Sequence, residues 1–209
     1  MAFPSPFRSA TLGFLLVFSL VIFGGCSASP KLPPLPADGV VLAFGDSITY
    51  GTGAGPADSY PAVLAQLIAR KVVNGGVPGE VSADGAARLP ELLEAEKPAL
   101  LILCHGGNDL LRHLGREQLV TNLRVMVRAA RERGVAVVLV GVPAADLSLS
   151  PPPLYSEVAK EFDIPYDGGT LPRILGTGGL KSDYIHPNAT GYRQLAEALA
   201  KLLAKAGAV

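Results

Sequence analysis

"VLAFGDSITYGTGAG", residues 41 to 55, carries four apolar residues into Gly45-Asp46-Ser47 and then into a glycine-rich stretch. The apolar run reads as a strand buried on both faces. The glycines that follow allow close backbone approach at its carboxyl end. A serine placed there stands where a nucleophile would be presented. Whether it acts as one depends on what the rest of the chain brings to the same place.

Working outward, short apolar runs alternate with amphipathic stretches. "GVVLAF" reads as a first strand, "KVVNGG" as a second, "PALLILCHGG" as a third, "VAVVLVGVP" as a fourth, and "DIPYDG" holds a short fifth. Between them lie helical patterns. "YPAVLAQLIARK" has Pro61 in its first turn. "DGAARLPELLEAE" contains Pro90, which should shorten or kink it. "GREQLVTNLRVMVRAARERG" stops at Gly134, "SPPPLYSEVAKEF" is led by prolines, and "NATGYRQLAEALAKLLAKAG" closes the chain. Strands separated by helices require right-handed crossovers and a central parallel sheet covered on both faces. The expected fold is therefore a three-layer α/β/α sandwich. Its glycine-rich segments (Gly45; Gly75, Gly76 and Gly79; Gly106 and Gly107) all follow strands. They should gather on the carboxyl rim, where such sheets bind ligands.

The 209 residues suit one domain with a sizeable core. Formal charge is balanced and there is no basic stripe, which argues against nucleic acid as a partner. Residues 1–25 read as a signal peptide: Arg8, an apolar run from Leu12 to Phe23, then small residues. The run is short for a membrane span. "FGGC" resembles a bacterial lipobox, with Phe23 where leucine is usual, and would place a lipid on Cys26. A plain signal peptide and an uncleaved anchor are the other readings; each sends the domain out of the cytoplasm. Residues 26–38, rich in proline, read as an extended tether. Residues 39–209 form the domain. The second cysteine, Cys104, falls in an apolar strand and reads as a small core residue.

A hydroxyl nucleophile needs a base, usually histidine. Of three histidines, His113 reads as a surface or capping residue and His105 as packing near the rim. His186, in "SDYIHPN", follows Asp183 by three residues. A turn of that length can set the carboxylate on one imidazole nitrogen and leave the other for Ser47. The same stretch also reads as a plain loop with Pro187 at a helix start.

Four segments in order, "FGDSIT", "NGGVPGE", "GGND" and "DYIHPN", resemble the four blocks of the SGNH hydrolases, also called GDSL esterases and lipases. "LPELL" through "GGNDLLR", and "AKEFDIP", look like the thioesterase I, lysophospholipase and arylesterase branch. The resemblance implies the flavodoxin-like SGNH hydrolase fold. It implies Ser47 as nucleophile, His186 as base and Asp183 as its orienter. It implies an oxyanion hole built from the Ser47 N–H, the Gly79 N–H and the Asn108 amide. Fixed donors of this kind stabilise the charge that acyl transfer builds. Each residue also has a plainer reading: Gly79 as a turn glycine, Asn108 as a helix cap, Ser47 as the cap of a helix starting near Ile48. Asp46 and Asp109 read as hydrogen-bonding loop organisers. Pro78 and Glu80 depart from the family pattern, which carries a small polar residue and Asp there. Thr49 excludes the G-x-S-x-G elbow. No metal-ligand spacing or phosphate loop is present, and no cofactor is implied.

The expected protein is a serine esterase of the bacterial cell envelope, lipid-anchored at Cys26, acting on lysophospholipid, aryl or acyl (thio)esters. An envelope carbohydrate O-deacetylase is the alternative, disfavoured by the lack of an aromatic sugar platform. A non-catalytic envelope lipoprotein is the reading from another class; the intact Ser47, Asn108, Asp183 and His186 set argues against it.

Overall fold

The computed structural model describes residues 1–2, 30–144 and 149–209. The expected signal peptide and Cys26 lie outside these residues. Five strands, β1 (Val41–Gly45), β2 (Val72–Gly76), β3 (Leu100–Cys104), β4 (Ala136–Val140) and β5 (Tyr166–Asp167), form one sheet in the order β2-β1-β3-β4-β5. All pairs are parallel. Among the described residues eight α-helices accompany them, the last two after β5: α1 (Ser47–Tyr50), α2 (Tyr60–Ile68), α3 (Ser82–Glu96), α4 (Gly107–Leu111), α5 (Arg116–Arg131), α6 (Pro153–Glu161), α7 (Thr170–Leu175) and α8 (Ala189–Ala206). Helices α2, α7 and α8 pack as one group, and α3, α5 and α6 as another. This is the three-layer α/β/α arrangement.

The apolar runs become strands because both faces are covered. Every residue of β1 and β3 is buried. β1 has β2 on one side and β3 on the other. The connections therefore leave β1 and β3 in opposite directions, opening a crevice above their carboxyl ends. Register brings three loops to that crevice, since Gly45 pairs with Gly76 on one side and Cys104 on the other. Gly45 is required there: a Cβ would collide with the Cys104 carbonyl.

Three fully buried tyrosines brace the rim. Tyr60 Oη shares a hydrogen bond with Thr49 Oγ1 (3.1 Å), Tyr155 Oη donates to the His105 carbonyl (2.9 Å) and Tyr192 Oη to the Thr52 carbonyl (2.8 Å). Burial pushes all three phenols up, so they stay neutral.

Two local expectations are corrected. α3 runs through Pro90 to Glu96 without ending there. Residues 30–38, read as part of a free tether, lie against the domain. Leu32 and Leu35 join the core, and their N–H groups donate to Ala206 O (3.0 Å) and Ala208 O (2.8 Å). Two leucines among the prolines find the apolar end of α8, and burying them outweighs leaving the segment in water. Cys104 is buried with a free thiol, as its strand position implies.

Candidate active site

Asp46 starts the site. Its Oδ1 accepts from the Ile48 N–H (3.1 Å), making Asp46, not Ser47, the cap of α1. Burial pushes the Asp46 carboxyl up, against the pull of His105 and of the Ile48 and Gly107 N–H groups. Ser47 is the first helical residue, so its N–H has no acceptor within the helix. The Ser47 hydroxyl lies 2.9 Å from His186 Nε2. His186 Nδ1 lies 2.7 Å from Asp183 Oδ2. The other carboxylate oxygen, Asp183 Oδ1, accepts the Ile185 and His186 N–H groups, both at 2.8 Å. Burial works to raise the Asp183 carboxyl, but the hydrogen bonds from the His186 ring and these two N–H groups hold it below the usual range. A carboxylate facing Nδ1 keeps the proton on that nitrogen and leaves the Nε2 lone pair toward the serine. Below the pair, the Asn188 side chain accepts from the Gly191 N–H (3.0 Å) and starts α8.

On the opposite side lies a tight turn. The Glu80 N–H donates to Val77 O (3.2 Å) across Pro78-Gly79. Gly79 has φ of +79°. Proline second and a positive-φ glycine third make this a type II turn, which accounts for Pro78. Arg112 Nη2 donates to the Gly79 carbonyl (2.9 Å). Asn108 Nδ2 donates to the Glu80 carbonyl (3.0 Å). Asn108 therefore does not cap a helix. It is the second residue of α4, whose cap position is Gly106 at φ +105°. One amide N–H is used on Glu80 and the second remains. Asp109 is a brace: its carboxylate accepts from the Ser82 N–H (2.8 Å) and Ser82 hydroxyl, joining α4 to α3.

Glu80 was expected only as a departure from the family pattern. It is buried, and its carboxylate accepts Arg88 Nε (2.8 Å) and Nη2 (2.7 Å) and lies 3.1 Å from His105 Nε2. Burial opposes its charge, yet the hydrogen bonds from Arg88 and His105 win and bring it down from 4.5 to about 2. His105 packs at the rim, as its place before Gly106-Gly107 implies, and is fully buried there. His113 is exposed and away from these contacts. Glu80 lies in the turn before α3 and Arg88 within that helix, so no single helical or strand period joins them.

Between the two sides a crevice of about 30 Å³ opens beside Ser47, walled by Ile48, Val142, Leu149, Leu175 and Ile185. It shares Leu111 and Ala144 with a larger open pocket of about 380 Å³. Among the described residues no group of His, Cys, Asp and Glu could hold a metal ion.

A parallel sheet offering a hydroxyl, an imidazole and a carboxylate in sequence at its carboxyl edge defines a hydrolase. The chain belongs to the GDSL-like lipase/acylhydrolase family, whose model matches residues 43–194. It is 33% identical over 194 residues to esterase TesA of Pseudomonas aeruginosa, covering 85% of this chain and 94% of that one. It is 30% identical over 171 residues to the thioesterase 1/protease 1/lysophospholipase L1 of Escherichia coli, covering 78% and 82%. The crystal structure of TesA superposes with a TM-score of 0.72 at 32% identity, over 80% of this chain and 99% of that chain. The protein is an SGNH-type enzyme that hydrolyses ester bonds of small molecules.

Proposed function

We propose that the protein is a serine esterase working through an acyl-enzyme at Ser47. The continuous Ser47–His186–Asp183 hydrogen-bond chain, at 2.9 and 2.7 Å, carries this reading. Ser47 Oγ attacks the ester or thioester carbonyl while His186 Nε2 takes its proton. Asp183 holds the ring and faces the imidazolium that results. The N–H groups of Ser47 and Gly79 and the free Asn108 amide hydrogen receive the oxyanion. His186 then returns the proton to the leaving alcohol or thiol. Water, deprotonated by the same nitrogen, releases the acid.

The crevice beside Ser47 is walled mainly by aliphatic side chains, which suits the first carbons of an acyl chain. The relatives' names, esterase and thioesterase/lysophospholipase, support carboxylic esters and thioesters as the substrate class. A p-nitrophenyl ester series from acetate to long acyl chains tests the reading. Wild type should turn over at least one member, and Ser47→Ala should lose at least about 10³-fold while melting like wild type. Unchanged hydrolysis in Ser47→Ala would remove it from the mechanism. Turnover of acetylated sugars but no acyl ester would shift the substrate to carbohydrate.

The enzyme is also proposed to be a lipoprotein of the bacterial cell envelope, held at Cys26. The apolar run from Leu12 to Phe23 before Gly24-Gly25-Cys26 supports this. Labelled palmitate should enter the wild type and not Cys26→Ala; equal labelling overturns the anchor.

A further inference from the structure

Glu80 is bonded in a way the reaction as described does not use. Its backbone touches both expected oxyanion donors on this side of the site. The Glu80 N–H closes the turn that holds Gly79, and the Glu80 carbonyl takes one N–H of Asn108. Its side chain is held separately, by three donors. Arg88 grips both carboxylate oxygens and also donates to the Gly75 carbonyl (3.0 Å). The guanidinium lies over the Phe44 ring, 4.4 Å from its centre.

The third donor can be assigned. The Gly106 N–H donates to His105 Nδ1 at 2.9 Å, so that nitrogen offers a lone pair. A neutral His105 then carries its proton on Nε2, facing Glu80 Oε2 at 3.1 Å. His105 immediately precedes Gly106, the cap position of the helix that carries Asn108. It sits against Gly85, where a Cβ would strike the ring. The Glu80 carboxylate thus ties the turn after β2 to the loop after β3, through bonds wholly separate from Ser47, His186 and Asp183.

We infer that Glu80 is a positioning residue for the oxyanion site: its side-chain anchorage holds its carbonyl where that carbonyl sets the Asn108 amide. The free amide hydrogen lies in the plane of the one that is used, so fixing one direction fixes the other. If the carboxylate lets go, the loop gains freedom and the amide spends less time aimed at the forming oxyanion. The loss falls on the transition state, because the ground-state carbonyl needs these donors less.

The inference rests on Asn108 being an oxyanion donor, and a double-mutant cycle tests both separately. Glu80→Gln keeps the shape and removes the charge, and Arg88, partly open to solvent, can hydrate when released. Glu80→Gln should lower kcat about 10-fold with KM within about twofold. Asn108→Ala should lower kcat about 10²-fold or more. In the Asn108→Ala background, Glu80→Gln should cost less than about twofold, because the group it positions is gone. Equal losses in both backgrounds, or none in either, overturn the inference and leave the Asn108 role standing. Full activity in Asn108→Ala overturns both. Melting curves accompany each variant. If Glu80→Gln does not fold, Arg88→Gln enters the same cycle from the solvent side with the same expectations.

Discussion

The two walls of the crevice are built by different means. The His186 wall is local and wet. Asp183, Ile185 and His186 lie within four residues, one carboxylate organises them all, and about half of the Asp183 side chain is exposed. The Asn108 wall is distant and dry. It joins Glu80, Arg88, His105 and Asn108 from two loops and two helices, and the Glu80 side chain is only 6% exposed. The difference shows what each half needs. A base must exchange protons with substrate and water, so a short self-made turn at the surface serves it. Oxyanion donors must not move as charge forms, so they are tied into the interior.

The sharpest way to break this comparison is on the wet side. Asp183→Asn should leave His186 in a mobile or wrong tautomer. A fully buried triad aspartate loses about 10⁴-fold on this change. Here about half of the Asp183 side chain is open to water, so a loss nearer 10²-fold in kcat is expected, smaller than for His186→Ala. A loss equal to that of His186→Ala would show that exposure does not soften the role. On the dry side the smaller effect is in stability. Glu80 has a folded-state value of about 2 against an ordinary 4.5, so its charge contributes stability above about pH 4.5. That contribution fades as pH falls toward 2, and is at most about 3 kcal/mol. Wild type should lose Tm faster than Glu80→Gln between about pH 5 and 3. Parallel Tm curves would mean that the buried pair carries no such linkage.

The same contrast explains what could be read from residues alone. Strands β1, β3 and β4 are apolar runs and the long helices have clear periods, so these were legible; β2 ends in Asn74-Gly75-Gly76 and β5 is only Tyr166-Asp167, so their signal was weaker. Helix α7 was not legible, because its 6 residues are too short to show a period; α1 and α4, shorter still, were read only as helices that Ser47 and Asn108 would cap. The Asp183–His186 spacing pointed to its own turn. Ser47 stood out by its place at the end of the first strand, whereas Gly79 and Asn108 came from the order of the four blocks, since nothing local joins them. Glu80, Arg88 and His105 belong together only once β2 and β3 lie on either side of β1. Leu32 and Leu35 were hidden by the prolines around them, which read as spacer.

Those two leucines also set a direction. The segment at residues 30–38 is fastened beside the end of α8, while α8 begins just after His186. The 18 residues of that helix separate the two points by about 27 Å. Leu32 and Leu35 therefore sit at the edge of the sheet opposite the one that carries Ser47.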